Sequence, residues 1–236
     1  MANEEIDNTI EEVENEVEET GSGAPKTLVE LFETHKQKIA IGGGVLALLI
    51  AGLLYFFLQH LPAQELKAQD EVYMAQFAFN ADSFALALNG RSTPGTTPFK
   101  GFLQIADEYG MTKTGNTARY CAGVCYLRLK KFAEAAEQLK KSSPSDQVVG
   151  AVRLNAIGDA LAGAGNMEEA ISYYAKAADY SANETYTPYY LLKTGLANEK
   201  QGNKEAALKY YQKIKDKYPN SDEGREIQKY ITRVGG

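Results

Sequence analysis

Few residues in this chain are equipped for general acid–base, nucleophilic or metal chemistry. Its two histidines, His35 and His60, bracket an apolar segment, and residues 61–236 contain no histidine. Ser-His-Asp and Cys-His sites need an imidazole beside the nucleophile, so the larger part of the sequence cannot build one. Cys121 and Cys125 stand four apart on a stretch that reads as a helix. That spacing separates their Cβ atoms by about 5–6 Å, whereas a disulfide brings them to about 3.8 Å. They are expected as buried free thiols, and they leave the redox compartment open. Two neighbouring cysteines without histidines do not make a zinc site. Gly42-Gly43-Gly44 is not a phosphate loop, because no Lys-Ser/Thr follows it and it lies inside the apolar stretch. No catalytic residue, metal ligand, cofactor or small-molecule substrate is expected, and the chain reads as a non-enzyme.

Charge removes a further class. The net charge of −6 over 236 residues is concentrated in a tail. Residues 1–25 hold nine acids and no Lys or Arg, and residues 39–236 carry a net charge of about +2. No basic excess is left to neutralise a phosphate backbone, so nucleic acid is not an expected partner. A composition of 44% hydrophobic and 24% charged residues is ordinary for a folded chain.

Residues 39–58, IAIGGGVLALLIAGLLYFFL, contain no charge. As a helix they span about 30 Å, the thickness of a hydrocarbon core. A cleaved signal peptide has a shorter core nearer the start, so a retained single-span anchor is expected. Lys26, Lys36 and Lys38 precede the segment and Lys67 is the first base after it. The positive-inside rule then keeps the N-terminus cytoplasmic and translocates the rest, into the periplasm in a bacterium. Gly43, Ala47 and Ala51 form a small-residue stripe suited to close helix packing in the membrane. In the tail, Ile6, Ile10, Val13 and Val17 share a helical face among glutamates, but so short and acidic a segment is expected to be disordered alone. Residues 26–38, with Leu28, Leu31 and Phe32, read as an amphipathic lead-in after the break at Gly21–Pro25.

The remainder repeats. Gly123, Gly158 and Gly195 recur at intervals of 35 and 37 residues, and twelve residues after each comes Ala135, Ala170 or Ala207. Four further on stand Leu139, Tyr174 and Tyr211, then three more to Ser142, Ala177 and Ile214. The small pair is expected to let two helices of a unit approach closely, and the large residue to fill the gap towards the next unit. Gly165-Asn166 and Gly202-Asn203 supply a helix stop and a cap. In the first unit Leu139 takes the aromatic slot, and Pro144 is expected to end the second helix early.

This pattern resembles the tetratricopeptide repeat, with units at about 116–149, 151–184 and 188–221. A capping helix is expected at 223–234, and a degenerate leading unit from helices at 63–80 and 98–110 parted by NGRSTPGTTP. The fold class is thus all-α: one N-terminal transmembrane helix, then a helix-turn-helix repeat solenoid over 59–234. With IADEYGMTKTGNTARY (105–120) and the order of tail, anchor and repeats, the chain is similar to YfgM-type tetratricopeptide proteins of the Gram-negative inner membrane. That resemblance implies an ancillary subunit of the SecYEG translocon with a periplasmic chaperone or prolyl isomerase as neighbour. A structural coordinator of another envelope complex, in outer-membrane biogenesis or cell division, is the alternative.

The repeat resemblance also implies a groove lined by the first helix of each unit. Helical phase places Tyr120, Val124 and Leu127 there from the first unit, Asn155, Asp159 and Ala162 from the second, and Tyr189, Leu192, Leu196 and Glu199 from the third. For each of these, packing inside the array is an equal alternative to partner contact. The Lys/Asn/Arg cage with which chaperone-clamp repeats hold a C-terminal carboxylate is not matched: Tyr120, Val124, Ala156 and Tyr189 stand there, with Lys193 the one base.

Overall fold

The computed structural model describes residues 28–144, 146–180 and 183–235, with side chains from residue 41. The tail at 1–25 and the side chains of the lead-in lie outside these. The chain divides into two units, with the boundary between Phe56 and Phe57.

The first unit carries helix α1, Leu28–Tyr55. One helix among the described residues is long and apolar enough to cross a membrane, and none of its apolar window is buried. Gly43, Ala47 and Ala51 are exposed on it, and a Cβ added at Gly43 would meet no atom within 4 Å.

A π-helical turn, Phe56–His60, precedes the helical repeats. They run α2 (Leu61–Asn80), α3 (Phe84–Asn89), α4 (Phe102–Glu108), α5 (Lys113–Arg128), α6 (Phe132–Lys141), α7 (Gln147–Gly163), α8 (Met167–Tyr180), α9 (Thr187–Lys200), α10 (Lys204–Lys217) and α11 (Asp222–Gly235). From α5 onward each helix packs on the next, while α5 also touches α7 and α9 touches α11. That is the neighbour pattern of a solenoid. Among the described residues the fold is all-α apart from one antiparallel bridge between β1 (Gly90–Arg91) and β2 (Phe99–Lys100).

Each hairpin turns by one device. Lys130, Gly165 and Gly202, each seven residues after the packing glycine, have φ of 59°, 89° and 80°. Around Gly165 the Gly165 N–H bonds Ala162 O and the Asn166 N–H bonds Leu161 O. The same two bonds run from Lys130 and Lys131 to Leu127 and Tyr126, and from Gly202 and Asn203 to Glu199 and Asn198. This is the Schellman arrangement, which requires a left-handed residue at its first position. The expected stop is therefore made by backbone, but the expected cap is not made by Asn203, whose side chain forms no capping bond. The glycine turn already delivers the chain to the next helix.

α2 ends in the same way, with Asp82 at φ 53° and bonds from Asp82 and Ser83 to Phe79 and Ala78. Seven residues before Asp82 lies Ala75, and twelve after that Ala87, both fully buried. The leading unit thus keeps the spacing of the others with alanine for glycine. Its second helix differs from the expected single helix at 98–110: it is cut into α3 and α4 by the bridged insertion. Gly101 makes the cut possible, because a Cβ there would come within 2.3 Å of Leu88 O. α2 is fastened to the start of α5 by Glu65, which accepts bonds from Thr114 N at 3.1 Å and Thr114 Oγ1 at 2.7 Å. Lys100 completes the fastening by pairing with both Glu71 and Glu108.

Lys130 holds a left-handed conformation that costs a side-chain-bearing residue about 1–2 kcal/mol. Lys130→Gly is expected to raise stability by up to about 1 kcal/mol, the extra chain entropy of glycine offsetting the rest. Gly165→Ala and Gly202→Ala should lower it by about 1–2 kcal/mol, although a Cβ has room at both. Urea midpoints of the three variants check this.

Candidate functional site

The packing of each helix pair decides what its first helix can offer. A Cβ on Gly158 would lie 2.4 Å from the Tyr174 ring, one on Gly195 2.3 Å from the Tyr211 ring, and one on Gly123 2.5 Å from Leu139. The large residue therefore lies on the glycine of its own unit. This corrects the expectation that it fills the gap towards the next one: without a Cβ, the first helix presents bare backbone that a ring can cover. Ala135, Ala170 and Ala207 are fully buried beside these contacts.

A phenol buried in this way needs a partner for its hydroxyl. Tyr174 donates to Asp159 at 2.8 Å and Tyr211 to Glu199 at 2.8 Å. Burial first, then the facing carboxylate, pushes both phenols well above the usual tyrosine range. Each acid is then closed from two helices further on: Lys193 of α9 pairs with Asp159, and Arg233 of α11 pairs with Glu199 at 2.6 Å. Lys193 also donates to Asn155 at 2.9 Å and lies over the rings of Tyr174 and Tyr189.

Of the residues expected in the groove, Asn155, Asp159 and Glu199 are therefore engaged within the array. Tyr120, Val124, Leu127 and Ala162 are half-buried against the core formed by Leu139, Ile157, Leu161 and Tyr174. Leu192 packs on the next cluster, around Leu191 and Tyr211. Tyr189 and Leu196 stand outward, 45% and 38% exposed, seven residues apart on α9.

Residues beyond that set take part, and one signal points to them. Asp159 and Lys193, Asp179 and Lys213, and Glu199 and Arg233 are each separated by 34 residues, one repeat period. In a stacked array, residues one period apart become neighbours, so an acid followed by a base at that interval is legible as an inter-repeat pair.

Neither cysteine is placed as an activated nucleophile. Burial pushes the Cys121 thiol up to about 11 and the Cys125 thiol up to about 12. Both are free, so at neutral pH they are protonated and weakly reactive. Among the described residues no group of three or more His, Cys, Asp or Glu is placed to hold a metal ion.

Arg233 holds the Glu199 carboxyl below the usual glutamate range, with Tyr211 helping against an opposing desolvation. A carboxyl depressed by folding stabilises above its unfolded value, about 4.3. That contribution is lost as pH falls through the lower folded value. The urea midpoint is expected to drop as pH falls below about 4.3. Glu199→Gln should lower the midpoint at pH 7 and flatten part of the acid limb, the remainder belonging to carboxyls such as Glu65 and Glu108. An unchanged acid limb in Glu199→Gln would remove this pair from the account.

No curated protein matches the chain. A family model for the tetratricopeptide repeat matches residues 189–221, which take in α9 from its third residue, α10 and the turn that follows. That repeat is generally a non-catalytic interaction module. With the hairpins stacked around it, the match supports a tetratricopeptide protein whose partners are proteins.

Proposed function

We propose that this chain is a membrane-anchored, non-catalytic interaction scaffold of YfgM type, an ancillary subunit of the SecYEG translocon that links exported proteins to a periplasmic chaperone or prolyl isomerase. In this reading residues 1–25 and the lead-in at 26–38 are cytoplasmic, 39–58 cross the bacterial inner membrane, and 59–234 are periplasmic. The observation that carries it is one helix whose apolar window is wholly unburied, joined in the same chain to a helical repeat array. The lysine asymmetry supports the orientation.

The partner face is the run of first helices α5, α7 and α9, with Tyr189 and Leu196 as its outward contacts. Lys193, the one base at the positions of a carboxylate cage, is neutralised by Asp159, which disfavours capture of a terminal carboxylate. An internal apolar or aromatic segment fits it better. Within the bilayer, Gly43, Ala47 and Ala51 pack against a translocon helix or another anchored subunit. Joining two contacts in one chain raises the effective concentration of each once the other forms.

Affinity purification in mild detergent with identification of the recovered proteins tests the reading. Translocon subunits and a periplasmic folding factor are expected; recovery of an outer-membrane assembly or division complex in their place would overturn it. Tyr189→Glu with Leu196→Glu should cut recovery at least tenfold while the melting temperature holds. Gly43→Leu with Ala47→Leu should lower recovery without changing insertion; unchanged recovery would reduce the anchor to a tether. Protease added to spheroplasts should digest the chain beyond residue 60 and spare the tail.

A further inference from the structure

The two terminal helices of the repeat unit are finished differently. α11 buries Ile227 and Val234 and turns Arg225, Glu226, Gln228, Lys229 and Thr232 outward. That is the polar outer face a solenoid end requires. α2 buries Ala68, Val72, Ala75 and Ala78, yet leaves Leu66, Tyr73 and Phe77 exposed at 65%, 66% and 62%. At 100° per residue these three fall within about 40° of one another, opposite the buried alanines. They make an apolar stripe about 16 Å long.

We infer that this stripe is a self-association surface, on which α2 helices of two copies pack side by side. Leu66, Tyr73 and Phe77 of one copy meet the same residues of the other. The edges of the stripe suit a second copy. They carry Gln69, Gln76 and Asn80, with Asp70 the single charge, so little like charge is brought together. A lipid surface fits less well: helices that lie on membranes line their polar face with Lys and Arg, and Lys67 is the one base on α2. Glu65 and Glu71 are already engaged by Thr114 and Lys100.

The tether fixes the height. α2 begins three residues after the apolar segment ends at residue 58, so the stripes of two anchored copies are confined to the same short distance from one membrane face. This step rests on the anchor proposed above. The stripe exposes about 400 Å² per copy, half of the roughly 800 Å² that each partner gives to a standard interface. Such a contact is weak between free molecules, and confinement to a bilayer offsets the deficit. The dimer is therefore set by density in the membrane.

The test uses the full-length chain reconstituted in lipid vesicles, with a short bismaleimide as crosslinker. Tyr73→Cys and Phe77→Cys should give a band of twice the chain mass at least tenfold stronger than Lys229→Cys on the outer face of α11. The unsubstituted chain, whose two thiols are buried or half-buried, is the background. The band should fade on dilution with lipid, and Leu66→Glu should abolish it in the Tyr73→Cys chain at an unchanged melting temperature. Tyr73→Ser is the milder variant, read through Phe77→Cys, should Leu66→Glu unfold the protein. Equal bands at all three positions, no band at Tyr73→Cys, or a Tyr73→Cys thiol shielded by lipid without a band would each overturn the inference. Protease access in the same vesicles reports anchoring separately.

Discussion

A ring laid on bare backbone holds the helix pairs of the second and third units together. Tyr174 on Gly158 and Tyr211 on Gly195 bring the two helices of a unit closer than any side chain at the glycine would allow. The buried alanine a turn before each ring completes the approach. Removing a buried aromatic side chain of this kind costs about 3–5 kcal/mol, more than any exposed ion pair in the molecule supplies. Leu139 on Gly123 is the same contact with a smaller occupant, and α6, which carries it, is ten residues long against fourteen for α8 and α10.

Burying tyrosines creates a second requirement, because a phenolic hydroxyl cannot be left unpaired in the core. Asp159 and Glu199 meet it, and these acids then need counter-charges of their own. The counter-charges come from one period further along, Lys193 and Arg233. Packing within a unit thereby dictates polar contacts between units. The consequence for function is subtractive: polar residues on the first helices are largely spent on the array, and Tyr189 and Leu196 are left as outward contacts.

The leading unit shows how far the pattern can bend. Ala75, Asp82 and Ala87 keep the spacing of glycine, turn and alanine, while the second helix is broken by a bridged insertion. Glu65 and Lys100 compensate by tying α2 to the start of α5 and to α4. The leading unit is legible in sequence as a degenerate one, but alanine in place of glycine hides its register, although the interval of twelve is present.

By itself, the sequence determined the helical class, the period, the turn positions and the apolar segment, because each depends on residues close together in the chain. Helical phase and chain stiffness act over a few residues, and left-handed turns over one. Tertiary structure alone decided which face of each helix is spent. Phase placed Asn155, Asp159 and Glu199 in one groove with Tyr189 and Leu196, and it could not distinguish acids bonded to buried phenols from side chains left outward. It also gave no sign that α2 keeps Leu66, Tyr73 and Phe77 uncovered. Apolar residues on opposite sides of a helix look alike in sequence until neighbouring helices cover one side, and only the packed array, with partners dozens of residues away, fixes which side that is.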